Sequence, residues 1–177
     1  MNSMAIDLAH TFVTSDHHFC SYKLPAFMHV FTEEQEKELI DKWNSVVGKD
    51  DIVYYNGDFC DGTLMELCEY FKQLNGQIVL IRGNHDQFND NIYRAIFKDV
   101  VDKIVLDDLD LTIHHVPMVN LQTKLEIYGH LHRGNSFLNK EILTTSFCSC
   151  VQNNDGFPVS LETVMQKLKS QICLEDC

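Results

Sequence analysis

The chain has 177 residues and a mass of 20.5 kDa, the size of one ordinary domain with a single substantial core, and residues 1–177 are expected to form one domain. An apolar share of 45% and a charged share of 23% are those of a soluble globular protein, and no apolar run approaches the ~20 residues of a membrane helix. The net charge of −12, with 14 Lys and Arg and no basic run, weighs against an extended nucleic-acid footprint, which needs clustered cations. A small phosphorylated substrate remains open, because bound divalent cations reverse the sign of the charge locally.

Lys23 is the first lysine and Arg82 the first arginine, so no basic region precedes the N-terminal apolar run. The absence of a signal peptide pattern predicts a cytoplasmic chain. Cys20, Cys60, Cys68, Cys148, Cys150, Cys173 and Cys177 form no Cys-x-x-Cys pair, and their odd number fits reduced thiols better than a disulfide framework.

In chain order, apolar and small residues from Ile6 to Ser15 read as a strand that runs into Asp16-His17-His18. Thr32 and Gln35 have the form of a capping box, followed at helical spacing by Leu39, Ile40, Trp43, Val46 and Val47. Ile52 to Tyr55 is a second strand ending on Gly57-Asp58-Phe59-Cys60-Asp61. A second capping box, Thr63 with Glu66, opens a helix whose apolar stripe is Leu64, Leu67, Cys68, Phe71 and Leu74. The third strand, Ile78 to Ile81, feeds the polar turn Gly83-Asn84-His85-Asp86, and a weaker helix carries Ile92, Tyr93, Ile96 and Phe97. This alternation argues a parallel βαβ core, whose strand ends open into a ligand crevice.

The second half predicts adjacent strands over Lys103 to Leu106 and Leu109 to Ile113, the latter ending on His114-His115-Val116-Pro117. Leu125 to Tyr128 ends on Gly129-His130-Leu131-His132, Glu141 to Val151 reads as a further strand, and Ser160 caps a last helix carrying Val164, Leu168 and Ile172.

Seven of the nine histidines therefore lie in four clusters, each following a predicted strand: His17 and His18, His85, His114 and His115, His130 and His132. With Asp16, Asp58 and Asn84 they offer mixed imidazole and oxygen donors that suit Mn, Fe, Co, Ni or Zn better than Ca or Mg. There are more donors than one ion requires, and a shared carboxylate can bridge two ions ~3.5–4 Å apart, the spacing used in phosphoryl transfer.

The motifs Asp16-x-His18, Gly57-Asp58, Gly83-Asn84-His85-Asp86, His115 and Gly129-His130-x-His132, in this order, resemble those of the calcineurin-like metallophosphoesterase superfamily. Thr14 to Phe19 and Lys42 to Val47 look further like its small bacterial and phage branch. The resemblance implies an α/β fold, a metallophosphoesterase-type sandwich of two mixed β-sheets flanked by helices. It implies Asp16, His18, Asp58 and His132 on one divalent ion and Asp58, Asn84, His115 and His130 on the other, Mn2+ foremost. His115 is preferred to His114 because it stands two residues before proline, and strand neighbours point to opposite faces. His85 would protonate the leaving oxygen while Asp86 orients its ring, and a metal-bridging hydroxide would attack phosphorus in line.

The activity so implied is a phosphodiesterase or phosphomonoesterase acting on a small or nucleotide-like substrate. The alternatives are a non-catalytic binding scaffold on the same fold, or a nuclease. Asp61 is followed by Gly62 where Ser/Thr phosphatases carry arginine, which weighs against a phosphoprotein substrate; Asp61 itself is expected to hold its loop. His17 and His114 are expected to be structural, and His10 and His29 surface or packing residues. Arg82 and Arg133 are candidates for phosphate contact or for surface ion pairs.

Overall fold

The computed structural model describes residues 6–28, 30–118, 121–132 and 145–175. Strands β1 (Thr11–Thr14), β2 (Ile52–Tyr55), β3 (Gln77–Ile81) and β4 (Asp99–Val101) run parallel, and β9 (Val159–Ser160) joins antiparallel to β1, in the order β4-β3-β2-β1-β9. The second sheet has the order β5-β6-β7-β8: β5 (Lys103–Leu106) is antiparallel to β6 (Leu111–His114), whereas β6, β7 (Leu125–Tyr128) and β8 (Ser146–Cys148) are parallel. Two mixed sheets flanked by helices are the architecture that the resemblance implies.

The helices begin where the sequence places their caps. Thr32 accepts from Gln35 N and Gln35 reaches back to Thr32 N at the start of α1 (Glu33–Val46), and Thr63 and Glu66 do the same for α2 (Leu64–Phe71). Asn89 caps the short α3 (Asp90–Arg94), and Ser160 accepts from Thr163 N at the start of α4 (Leu161–Glu175). Among the described residues no helix is long and apolar enough to cross a membrane.

Burial separates two apolar clusters. One packs α1, α2 and α3 against the five-stranded sheet through Trp43, Val53, Tyr55, Leu67, Ile78, Leu80 and Tyr93. The other joins Val13 and Ile81 of that sheet to Leu111, Ile113, Leu125 and Ile127 of the four-stranded sheet and to Leu161, Val164 and Leu168 of α4. It sets how the two sheets face one another, and hence where their loops meet.

β4 and β9 have three and two residues, too short to leave a period in the sequence, and neither is foreseen there. Of the strand expected over Glu141 to Val151, β8 occupies 146–148, while 141–144 lie outside the described residues. His29 and Arg133 also lie outside them. His10 is exposed and pairs with Asp51 at 2.8 Å.

Glu36, on the buried side of α1, is fully buried; it accepts from Cys20 N at 2.8 Å and from the Tyr70 hydroxyl. Burial pushes its carboxyl up to about 7 against the opposing pull of these donors. A carboxyl raised in the folded state stabilises fully below its unfolded value of 4.5, and the contribution is lost as pH rises through about 7. Tm should therefore fall by several degrees between about pH 5 and about pH 8, and Glu36→Gln, which keeps the acceptor for Cys20 N, should flatten that slope in calorimetric scans.

Candidate metal centre

Four loops leaving the carboxyl ends of β1, β2, β3 and β6 converge with the loop after β7. The first two run side by side: Asp16 N donates to Gly57 O at 3.0 Å, His18 N to Asp58 O at 3.1 Å and Phe19 N to Phe59 O at 3.0 Å. Asp16, His18, Asp58, His130 and His132 all have left-handed backbones, with φ of 61°, 46°, 60°, 68° and 42°. Non-glycine residues seldom adopt this conformation, and such strain collects at functional sites. Gly57 and Gly83 allow the loops to close: a Cβ at Gly57 would lie 2.4 Å from His115 Nδ1, and one at Gly83 would lie 2.2 Å from Asp58 Oδ1.

Asp58 lies at the centre and is 1% exposed. Its Oδ1 accepts from His85 N at 2.8 Å, while Oδ2 faces His115 Nε2 at 3.2 Å and His18 Nε2 at 3.5 Å. On one side, Asp16, His18 and His132 bring ligand atoms within 4.8 Å of one another; on the other, Asp58, His115 and His130 do the same. Asn84 Oδ1 stands 3.1 Å from His115 Nε2. A further trio of the same kind is His18, Asp58 and His85.

The donor set fits divalent cations. His115 Nδ1 donates to Asn56 O at 2.7 Å, and His18 Nδ1 donates to Asp61 Oδ2 at 2.9 Å, so each ring, once Nε2 gives up its proton, turns the lone pair of Nε2 inward. His18 Nε2 is buried without a hydrogen-bond partner beside the Asp58 carboxylate, as expected of an atom whose partner is an ion. His130 N donates to both oxygens of Asp16 at 3.1 Å, which ties the loop after β7 to the loop after β1.

A family model described as calcineurin-like phosphoesterase matches residues 9–146. The chain belongs to the calcineurin-like phosphoesterase family. An uncharacterised protein of Methanocaldococcus jannaschii is 46% identical over 66 residues, a match spanning 36% of this chain and 37% of that relative. The crystal structure of a protein of unknown function from Aquifex aeolicus superposes with a TM-score of 0.71 at 21% identity, covering 88% of this chain and 97% of the other, a likeness of fold.

In this member of the family the seven candidate ligands and His85 are brought together, but Asp86 is not where it was expected. Its buried carboxylate accepts from Gly83 N at 2.7 Å, Asp58 N at 3.0 Å and Phe59 N at 3.1 Å, and so holds the backbone of two loops. The carboxylate on the His85 ring is Asp61, whose Oδ1 lies 2.9 Å from Nδ1. Asp61 thus joins His85 to His18, a role hidden in the sequence because the three residues are far apart along the chain. Arg82 is engaged by Asp90 and the Asp86 carbonyl, with its guanidinium over Tyr93, a structural arrangement rather than a phosphate contact.

His17 points away from the centre, buried against Phe19, Trp43 and Tyr55 with Nδ1 2.8 Å from the Tyr55 hydroxyl, and burial lowers its pKa to about 3. His114 faces Val116 O at 2.6 Å and Glu126 Oε1 at 2.7 Å, away from Asp58. Both are structural; His114 ends β6, where neighbouring side chains point to opposite faces.

Gln152 has no motif to announce it. Its amide nitrogen lies 2.9 Å from His132 Nδ1, while its Oε1 is buried without a partner. Half a turn of the amide exchanges these atoms, so that Oε1 accepts from Nδ1–H and the lone pair of Nε2 faces Asp16, 3.6 Å away.

Burial lowers the pKa of His115, but the adjoining Asp58 carboxylate outweighs it and raises the imidazole to about 9. Burial correspondingly raises Asp58, and His115 outweighs it, holding the carboxyl near about 2. This pair stabilises the metal-free protein fully between pH 3.8 and pH 6.5, the ordinary aspartate and histidine values, and its contribution is lost as pH rises through about 9 or falls through about 2. A cation must displace the His115 proton, so apparent metal affinity should weaken by up to about tenfold per unit as pH falls below about 9. Calorimetric titrations in buffers of different ionisation enthalpy should record proton release; none, with constant affinity, would contradict the assignment. Gln152→Ala should weaken uptake at one of two sites by about 10–100-fold and spare the other, read from biphasic manganese titrations.

Proposed function

We propose that the chain hydrolyses a phosphoester, as a phosphodiesterase or phosphomonoesterase on a small or nucleotide-like substrate, with two divalent ions, Mn2+ foremost. In this reading Asp16, His18, Asp58 and His132 hold one ion and Asp58, Asn84, His115 and His130 the other. The observation that carries it is the buried Asp58 carboxylate with His18 Nε2 on one side and His115 Nε2 on the other. When bound, the ions supply positive charge for the transferring phosphoryl group and acidify the attacking water.

The chain's own groups complete the chemistry. His85 Nδ1 is held by Asp61, so Nε2 is the atom that exchanges a proton, and an Nε2–H donates to the departing oxygen. Asp61 keeps the ring oriented. His85 opens onto a cavity of about 610 Å³ lined also by Lys23, Thr63, Gln87 and Phe88, room for the alcohol side of an ester. Lys23 is paired with Glu66, so no cation among the described residues lining that cleft is free for a polyanion. Together with the charge of −12 this favours a small ester over a nucleic-acid chain. Thr14 to Phe19 and Lys42 to Val47 support the small bacterial and phage branch, and the reduced cysteines support a cytoplasmic enzyme of one domain.

The test is hydrolysis of bis-p-nitrophenyl phosphate and p-nitrophenyl phosphate by protein of measured manganese content. His85→Ala should keep two ions and lose about 10²–10⁴-fold in turnover. Loss of an ion in this variant would instead place His85 among the ligands. No cleavage of either ester by the metal-loaded protein would sink the reading.

A further inference from the structure

Two cysteines lie where the first two ligand-bearing loops touch, and no step of phosphoester hydrolysis uses them. Cys20 follows His18 by two residues, and Cys60 stands immediately before Asp61. Phe19 and Cys60 pair as an isolated parallel bridge, with Asp61 N donating to Phe19 O at 2.9 Å, which brings Cys20 alongside Cys60. Both close on Gly62: its N–H donates to Cys60 Sγ at 3.3 Å, and a Cβ there would lie 3.0 Å from Cys20 Sγ. Cys20 has φ of 69°, so its side chain is carried on a backbone that glycine would adopt at lower cost. Both are buried, but Cys60 lines the cavity at His85, which gives a small oxidant a way in.

We propose that Cys20 and Cys60 form a redox-modifiable dithiol, which a hydroperoxide converts to a disulfide between the two loops and which thereby weakens cation uptake at the adjoining centre. One thiol sulfur attacks a peroxide oxygen; the O–O bond breaks, hydroxide leaves and takes up the thiol proton as water, and a sulfenic acid remains. The second thiol sulfur attacks that sulfur, the S–O bond breaks, and the oxygen departs as water with the second proton. Two thiols and one hydrogen peroxide thus become one disulfide and two waters. Closing the two sulfurs to an S–S bond of about 2 Å moves the loops against each other. Asp61, next to Cys60, accepts from both His18 and His85, so the movement reaches the candidate ligands directly.

Cys148 and Cys150 are a second pair close along the chain. They are one residue apart along an extended segment, where the Cα separation of roughly 6.6 Å is close to the upper limit for a disulfide, so Cys20 and Cys60 are the better placed pair.

The test treats the full chain with stoichiometric hydrogen peroxide, alkylates remaining thiols under denaturing conditions and maps tryptic peptides by mass spectrometry. The expected product joins peptides 1–23 and 50–72 with a loss of about 2 Da. It should form in wild type and in Cys68→Ser, which keeps Cys60 as the only thiol of the second peptide, and vanish in Cys60→Ser. The first two proteins decide the matter even if Cys60→Ser fails to fold. Calorimetric titration of the oxidised wild type with manganese should show affinity at least about tenfold weaker, restored by dithiothreitol. A link carried by Cys68 or Cys148, or sulfenic and sulfinic acids without a link, would overturn the site. Unaltered manganese affinity in fully cross-linked protein would overturn its control of the centre.

Discussion

Everything at the centre depends on keeping one carboxylate, Asp58, out of water and among imidazoles from other loops. A buried charge of this kind is tolerable only when each of its oxygens has a partner. Oδ1 has the His85 N–H, and Oδ2 has His115 and His18. The backbone carrying it is held in turn by Asp86, which accepts from Asp58 N and Phe59 N. Asp16, Asp58, Asp61 and Asp86 crowd a small volume, three of them at most 2% exposed and the Asp61 side chain at 5%. The excess of acids over cationic side chains there is the electrostatic reason for divalent ions. Such ions would reverse the sign of the charge locally in a chain of net charge −12.

The division of labour follows the sheets. The five-stranded sheet delivers Asp16, His18, Asp58, Asn84 and His85 from the loops after β1, β2 and β3, whereas the four-stranded sheet delivers His115, His130 and His132 from the loops after β6 and β7. The trio of Asp16, His18 and His132 and the trio of Asp58, His115 and His130 each draw on both sheets. Their spacing is set by the apolar cluster between the sheets, in which Val13 and Ile81 meet Ile113 and Ile127, each fully buried. Close packing there transmits any change of volume, because such interiors have little room to relax. The Asp16 carboxylate accepting from His130 N is the polar counterpart of that packing, reaching from one sheet's loops to the other's.

Much of this was legible along the chain. Both capping boxes are local, three residues wide, and the helices begin where they stand. The histidine clusters stood out because each follows an apolar run, and a strand end is where a side chain turns from core to crevice. The exchange of Asp61 for Asp86 was not legible. Adjacency in Gly83-Asn84-His85-Asp86 suggested a pair, but the turn points the Asp86 side chain back at its own loop and at the loop after β2, leaving the ring to an acid 24 residues earlier. Gln152, β4 and β9 escaped for a related reason: contacts between distant residues and elements of two or three residues leave no periodicity to read.

The left-handed backbones tie these observations together. Five candidate ligands and Cys20 have φ between 42° and 69°, on loops where an extended strand would direct neighbouring side chains to opposite faces. A single left-handed residue reverses the chain locally, so Asp16 and His18 both reach the centre while His17 between them turns into the core against Trp43. Each such residue costs of the order of 1–2 kcal/mol, and the surrounding hydrogen bonds and packing must offset it. The strain therefore belongs to the means by which consecutive residues are sorted between core and site, and the loops that bear it are those closed by Gly57, Gly83 and the carboxylate of Asp86.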